Sequence, residues 1–148
     1  MKNLVRFTAL LLSIITTSAL MAHLLALPGK IHLPAADYLT VQHIYSGWAF
    51  LGICEFGAII LSIIWTIQEQ RHMRWFGWLF TATSLLVVSM AIFFLYTFPA
   101  NQATANWTKL PGHWEALRKQ WEYSHAVRAG LNLLSVSLLL WMLLRRRH

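Results

Sequence analysis

The residues with the most chemical potential lie in one apolar stretch near the C-terminal end. Arg118, Glu122, His125, Ala129 and Asn132 recur at three- and four-residue intervals, which places them on one face of a helix with Arg128 beside them. Ionisable groups in so apolar a helix are costly unless they face inward and pair. Glu122 and His125 stand one turn apart, so the carboxylate could orient the imidazole or tune its basicity. Arg128 could neutralise Glu122 or hold an anionic or carbonyl group of a substrate. The alternative is an interfacial ladder of salt bridges that starts the helix, with Arg128 snorkelling outward.

Imidazole is the commonest protein ligand for zinc, copper and iron, and it supplies axial ligands to haem. His23 and His43 lie in other apolar runs, so His23, His125 and His43 form a candidate set for a single copper or iron ion, and His23 with His125 a candidate haem-ligating pair. Otherwise each imidazole hydrogen-bonds a neighbouring carbonyl or a lipid headgroup. Glu55 falls mid-run with no complementary charge evident at its depth. It is either protonated and hydrogen-bonded or part of a proton or cation path. Cys54, the single cysteine, forms no internal disulfide and reads as a small apolar filler. No Gly-rich phosphate loop, metalloprotease helix motif or nucleophile elbow is present, so hydrolase and nucleotide-driven pump chemistry are unsupported.

Composition decides what must position these groups. Of 148 residues, 57% are hydrophobic and 11% charged, and the mean hydropathy is +0.53. A soluble domain carries roughly 25% charged residues, so a water-soluble enzyme is excluded, and so is a disordered chain. The net charge of +7 does not mark a nucleic-acid partner, because the positive residues sit at the ends of apolar runs. The partner is the lipid bilayer. Four runs, about 4–27, 38–67, 75–98 and 121–144, meet the roughly 20 residues that a crossing helix needs. Pro28-Gly29 is expected to stop the first, Gln68–Arg74 to separate the second from the third, and Pro99 to end the third. A polar loop 99–120 then leads to the fourth. The first run has features of a signal peptide, but Leu20 makes a poor cleavage site and a retained span is expected. The prediction is an all-α, single-domain integral membrane four-helix up-down bundle. Gly47, Gly52, Gly57 and Ala58 on the second span would permit close helix packing, so a homo-oligomer is expected.

Orientation turns the histidines into a pattern. Lys2, Arg6, Arg71, Arg74 and Arg145–Arg147 give seven positive residues on one side, against Lys30, Lys109, Arg118 and Lys119 on the other. The excess predicts both termini in the cytoplasm of an inner or plasma membrane. His23, His43 and His125 then share a depth near the outer end. The first and fourth spans of an up-down bundle are neighbours, so His23 and His125 could meet.

The stretches AHLLALPGKIHLPAADYLTVQHIYSGWAFLG (22–52) and PANQATANWTKLPGHWEALRKQWEYSHAVRAGLNLL (99–134) resemble a large family of small four-span membrane proteins that includes the anthrone oxygenases of polyketide pathways. The most specific part is an Asn-containing turn followed by a Trp…His-Ala-x-Arg helix start, here Asn101, Trp121, His125 and Arg128. The resemblance implies oxidation of an aromatic or quinone-like substrate, with Trp121 beside the cofactor and Asn101 near the substrate. The relatives usually read VQQIY where this chain has Val41–Tyr45 as VQHIY, and Arg in place of Ser46. That departure moves the expected ligand pair from His43 to His23 and His125.

Three functions follow as expectations. The first is a membrane redox protein, an oxygenase or oxidase with haem or a copper or iron ion acting on a lipophilic small molecule at the outer leaflet. In its catalytic set His125, Glu122, Arg128 and Asn101 position substrate or move protons. A cofactor-free variant uses His125 as general base and dioxygen as oxidant. The second is a non-enzymatic carrier or lipid-binding bundle that uses Glu55. The third is an accessory subunit of a membrane complex.

Overall fold

The computed structural model describes residues 2–145, without the side chain of Arg74. Arg146 and Arg147, counted in the charge asymmetry, lie outside the described residues. The described chain is all-helical and contains no strand. Its helices are α1 (Lys2–Lys30), α2 (Ala35–Gln42), α3 (Leu51–Gln68), α4 (Met73–Ile92), α5 (Phe98–Ala103) and α6 (Trp114–Arg145). Four stretches are long and apolar enough to cross a membrane: Lys2–Lys30, Trp48–Gln68, Trp75–Ala103 and Trp114–Arg145. Only 28–39% of the most apolar part of each is buried within the chain. Ile53, Ile60, Phe80, Val87 and Leu140 face outward. Exposed faces this apolar suit lipid better than water.

The principal contacts join α1 to α3, α3 to α4, α4 to α6 and α6 back to α1. At one end Arg6 pairs with Glu69, which ties the start of α1 to the end of α3. Next to it lies an apolar cluster of Ala9, Trp65, Leu79, Ala82, Leu139 and Met142. At the other end, called the cap, Tyr38, Ala100, Trp107, Leu117 and Trp121 pack together. Besides a third apolar cluster of Ile59, Leu86 and Met90, the interior contains small polar residues that bond between helices. Asn132 donates to Ser89 at 2.7 Å, Ser135 to the Ala82 carbonyl at 2.8 Å, and Thr66 and Thr83 bond at 3.0 Å. Such bonds tie helices together where lipid supplies no hydrophobic drive. Gly57 belongs to this packing, because a Cβ there would stand 2.8 Å from Leu12 Cδ1. That glycine is therefore used within the chain rather than kept for a second copy.

Several expected boundaries move. Pro28-Gly29 does not end the first helix, which runs to Lys30. A proline in a last turn forfeits one backbone bond while its φ stays helical. The second run is not one helix. After α2, two 3-10 turns (His43–Tyr45 and Trp48–Phe50) flank Gly47, whose φ of +84° breaks the path, so the spanning part starts at Trp48. Pro99 does not end the third span either. A π-helical turn at Phe93–Thr97 precedes it, with the Phe98 N–H reaching back to the Phe93 carbonyl, and α5 carries the helix to Ala103. The wider turn accommodates the ring of Pro99, and Gln120 Nε2 donates to the Tyr96 carbonyl at 2.8 Å. The fourth helix begins at Trp114 rather than Trp121, which shortens the loop to residues 104–113.

Candidate functional site

Near the cap, α1 and α6 bring His23 and His125 into contact, with ring centroids 4.3 Å apart. Both are buried. Tyr45 packs against His23 with ring centroids 4.2 Å apart and Trp121 against His125 at 4.1 Å, both tilted, and Trp48 and His23 meet edge-on at 5.5 Å. His125 Nδ1 lies 2.9 Å from the Trp121 carbonyl. A carbonyl only accepts, so Nδ1 carries the proton and the lone pair is left on Nε2. Trp121 is itself held, its Nε1 donating to Asn101 Oδ1 at 2.7 Å.

The imidazoles border a cavity of about 470 Å³ whose walls also include Tyr45, Trp48, Phe93, Trp121, Glu55 and Arg128. Arg128 donates to both carboxylate oxygens of Glu55, at 2.9 and 2.7 Å, and its guanidinium lies 4.9 Å from the Phe93 ring centre. The expectation that Glu55 lacks a partner is thus corrected. Arg128 neutralises Glu55, not Glu122.

Glu122 does not orient His125. Its carboxylate turns to the cap, where Lys30 Nζ stands 3.0 Å from Oε2 and the Tyr38 hydroxyl donates to Oε1 at 3.0 Å. Lys30 also lies 4.8 Å from the Tyr45 ring centre and 5.2 Å from that of Trp121, just behind the aromatic wall of the cavity. Burial and the neighbouring Glu122 carboxylate push the Tyr38 phenol well above its ordinary range, so it is a neutral donor. Arg118 closes the arrangement by donating to the Leu33 carbonyl at 2.7 Å.

His43 is exposed at the rim of the cavity. It does not join the other two histidines in a three-ligand set, for no group of three or more His, Cys, Asp or Glu suited to a metal occurs among the described residues. Two imidazoles are short of the three or four protein ligands usual for zinc. Axial imidazoles on opposite faces of a haem iron, each bonded at about 2 Å, would hold their ring centroids roughly 6 Å apart. At 4.3 Å the rings of His23 and His125 leave no room for a porphyrin between them. A single ion approached by both rings from one side suits that spacing better.

No family model, curated protein or solved structure matches this chain.

Lys30, Tyr38 and Tyr45 escaped the sequence reading. Lys30 follows Pro28-Gly29 and so reads as a loop residue, and the tyrosines fall in what reads as a loop-to-span stretch without a break. The available signal was charge balance: Glu122 and Glu55 are two carboxylates in apolar surroundings, which call for two cations, and Arg128 supplies only one.

Proposed function

We propose that the chain is a membrane-embedded oxidoreductase, similar to the anthrone oxygenases, whose cavity binds a lipophilic, weakly acidic aromatic molecule such as a phenol, hydroquinone or anthrone. The four helices cross an inner or plasma membrane as an up-down bundle with both termini in the cytoplasm, so the cavity opens towards the outer leaflet. The charge asymmetry of the helix ends supports that orientation.

One observation carries the reading. Five buried polar atoms without a hydrogen-bond partner among the described residues, on Thr16, His23, Gln42, Trp107 and Arg128, belong to residues that border the same aromatic-walled cavity. His23 Nδ1 and Arg128 Nε are the two on ionisable side chains. Buried polar atoms in folded proteins are nearly always paired, so an orphan beside a cavity points to a missing ligand. A planar ring would lie among Tyr45, Trp48, Phe93 and Trp121. His125 Nε2 takes a proton from its acidic C–H or O–H, and the guanidinium of Arg128 faces the oxygen on which negative charge develops. With an anthrone, the deprotonated carbon adds dioxygen. The resulting hydroperoxide loses water, so CH2 becomes C=O while one O2 is consumed and one H2O released. Because Arg128 is paired with Glu55 and Lys30 with Glu122, the charges nearest the cavity balance, which suits an uncharged substrate.

A second reading has its own support. The unpartnered His23 Nδ1 and the lone pair on His125 Nε2 could share one copper or iron ion, which would supply dioxygen activation. Both readings are tested by purified protein in lipid nanodiscs given anthrone, with oxygen uptake, product and metal content measured together. Equimolar oxygen uptake and ketone formation, lost on His125→Ala, is the expected result. Binding without uptake makes the protein a carrier. Neither binding nor uptake overturns the proposal.

A further inference from the structure

We infer that the aromatic substrate carries a long alkyl or prenyl tail, which leaves the cavity sideways over Gly52 into the lipid. The inference rests on the reading that the cavity takes an aromatic ring, and it names the class of molecule to which that ring belongs.

The walls of the cavity are chemically unequal. His23, His125, Arg128, Glu55, Gln42 and Asn101 supply its polar lining. One side is lined by Gly52 and Phe56 of α3 and by Ala49 of the 3-10 turn that leads into it, spaced three and four residues apart and therefore on one face. These three also reach the outside of the bundle. Ala49 is exposed, Gly52 half-buried, and Phe56 49% exposed. The same three residues thus border both the cavity and the outside, and the middle one has no side chain. A Cβ built on Gly52 meets nothing within 4 Å, so no side chain from another part of the protein covers that position. Next to it Ile53 is 73% exposed, in the manner of a lipid-facing side chain.

Across the gap, α4 and its π turn contribute Met90 and Phe93. A molecule with a polar ring and an apolar tail matches this asymmetry, ring inward and tail outward. The other rim, marked by the exposed His43, Asn106 and Thr108, is polar and suits water and dioxygen rather than a hydrocarbon chain. Lipid is as apolar as a protein groove, so the tail gains no affinity by being covered. It needs only an unobstructed path. The absence of a side chain at position 52 provides one.

The test uses two hydroquinones with the same ring, one bearing a methyl and one a decyl group, titrated against proteoliposomes by quenching of tryptophan fluorescence. Partitioning into lipid affects wild type and variants equally, so the ratio of the two apparent affinities is the quantity compared. Gly52→Phe is expected to lower the relative affinity for the decyl compound at least tenfold while leaving the methyl compound within twofold. Gly52→Leu should act in the same direction but less strongly. Gly130→Phe, on an exposed face of α6 where a Cβ also meets nothing within 4 Å, should leave the ratio unchanged. An unchanged ratio in both Gly52 variants, with wild type binding both ligands, overturns the tail inference and spares the ring site. Failure of wild type to bind either ligand overturns the ring site and the inference with it.

Discussion

Arg128 on α6 donates both of its hydrogen bonds to Glu55 through one guanidinium nitrogen, Nη2, at 2.9 and 2.7 Å. The pair spans from α6 to α3, helices that are not principal neighbours, so it crosses the bundle interior below the histidines. Both side chains are at most 10% exposed. Taking one partner from such a pair leaves an uncompensated buried charge, at a cost of about 3–5 kcal/mol, whereas replacing both with apolar residues is often neutral. Glu55→Leu and Arg128→Met are each expected to destabilise the protein strongly in detergent unfolding. The double variant should recover most of the loss while losing substrate binding. Equal stability of the single variants would show that the pair is not closed in the folded protein.

The Tyr38–Glu122 bond gives a pH dependence with a definite sign. Burial first, and then the Glu122 carboxylate, raise the Tyr38 phenol above its ordinary value of 10.0. Above that value the unfolded phenol loses its proton while the folded one keeps it, so the unfolded state binds fewer protons and stability falls as pH rises. The contribution of Tyr38 is therefore complete below about pH 10 and declines above it. Thermal unfolding measured from pH 8 to 11 should show this alkaline decline in wild type and a shallower one in Tyr38→Phe. A decline of the same slope in both would remove Tyr38 as its source.

Residues 105–107 contain backbone strain that can be relieved. Ala105, Asn106 and Trp107 have φ of 49°, 56° and 61°, three successive left-handed residues of which none is glycine. For L-residues this region costs roughly 1–2 kcal/mol each, and Asn tolerates it best. The segment is held by Thr104, whose hydroxyl donates to the Ala100 carbonyl at 2.8 Å and accepts from the Trp107 N–H at 3.1 Å. The strained turn seats Trp107 against Tyr38, with centroids 5.1 Å apart. Ala105→Gly, ordinarily destabilising, should here be neutral or stabilising by about 1 kcal/mol. Thr104→Ala should cost about 1–3 kcal/mol by leaving buried groups unpaired. Chemical unfolding followed by tryptophan fluorescence reads both, and a clear loss in Ala105→Gly would contradict the strain.

The helices were legible because apolar length and Lys/Arg punctuation are properties of single segments. The meeting of His23 with His125 was partly legible too, since equal depth on two neighbouring spans follows from counting residues. The partners of Glu55 and Glu122 were not. A helix face says which residues look inward, but not which of several inward cations a carboxylate reaches. That choice depends on rotation about the helix axes and on the last turn of α1, which continues through Pro28 to place Lys30 at Glu122. Likewise Pro99 read as a stop because proline breaks an α-helix, and the π turn that accommodates it has no single-residue signature. The break at Ser46-Gly47 was hidden by apolar neighbours on both sides.

The two histidines should separate by function rather than by fold. Among the described residues neither imidazole makes a hydrogen bond to another helix, and the helices are held by the apolar clusters and the ion pairs, so His125→Ala and His23→Ala should both insert and unfold like wild type. In the proposed reaction His125, with its lone pair directed by the Trp121 carbonyl, acts as the base, and its loss should cut turnover by about 10²–10⁴. His23, with no bonded ring nitrogen to direct it, should affect KM more than kcat in His23→Ala if it contacts substrate. Loss of bound metal in both variants would instead assign the pair to an ion. His43→Gln should leave turnover within twofold, because that side chain is exposed at the rim. Asn101→Ala removes the acceptor for the Trp121 indole, so it should lower kcat by loosening the residue whose carbonyl orients His125, and a red shift of tryptophan emission should accompany the loss. Turnover retained in His125→Ala would remove the base from the mechanism, whatever the other variants do.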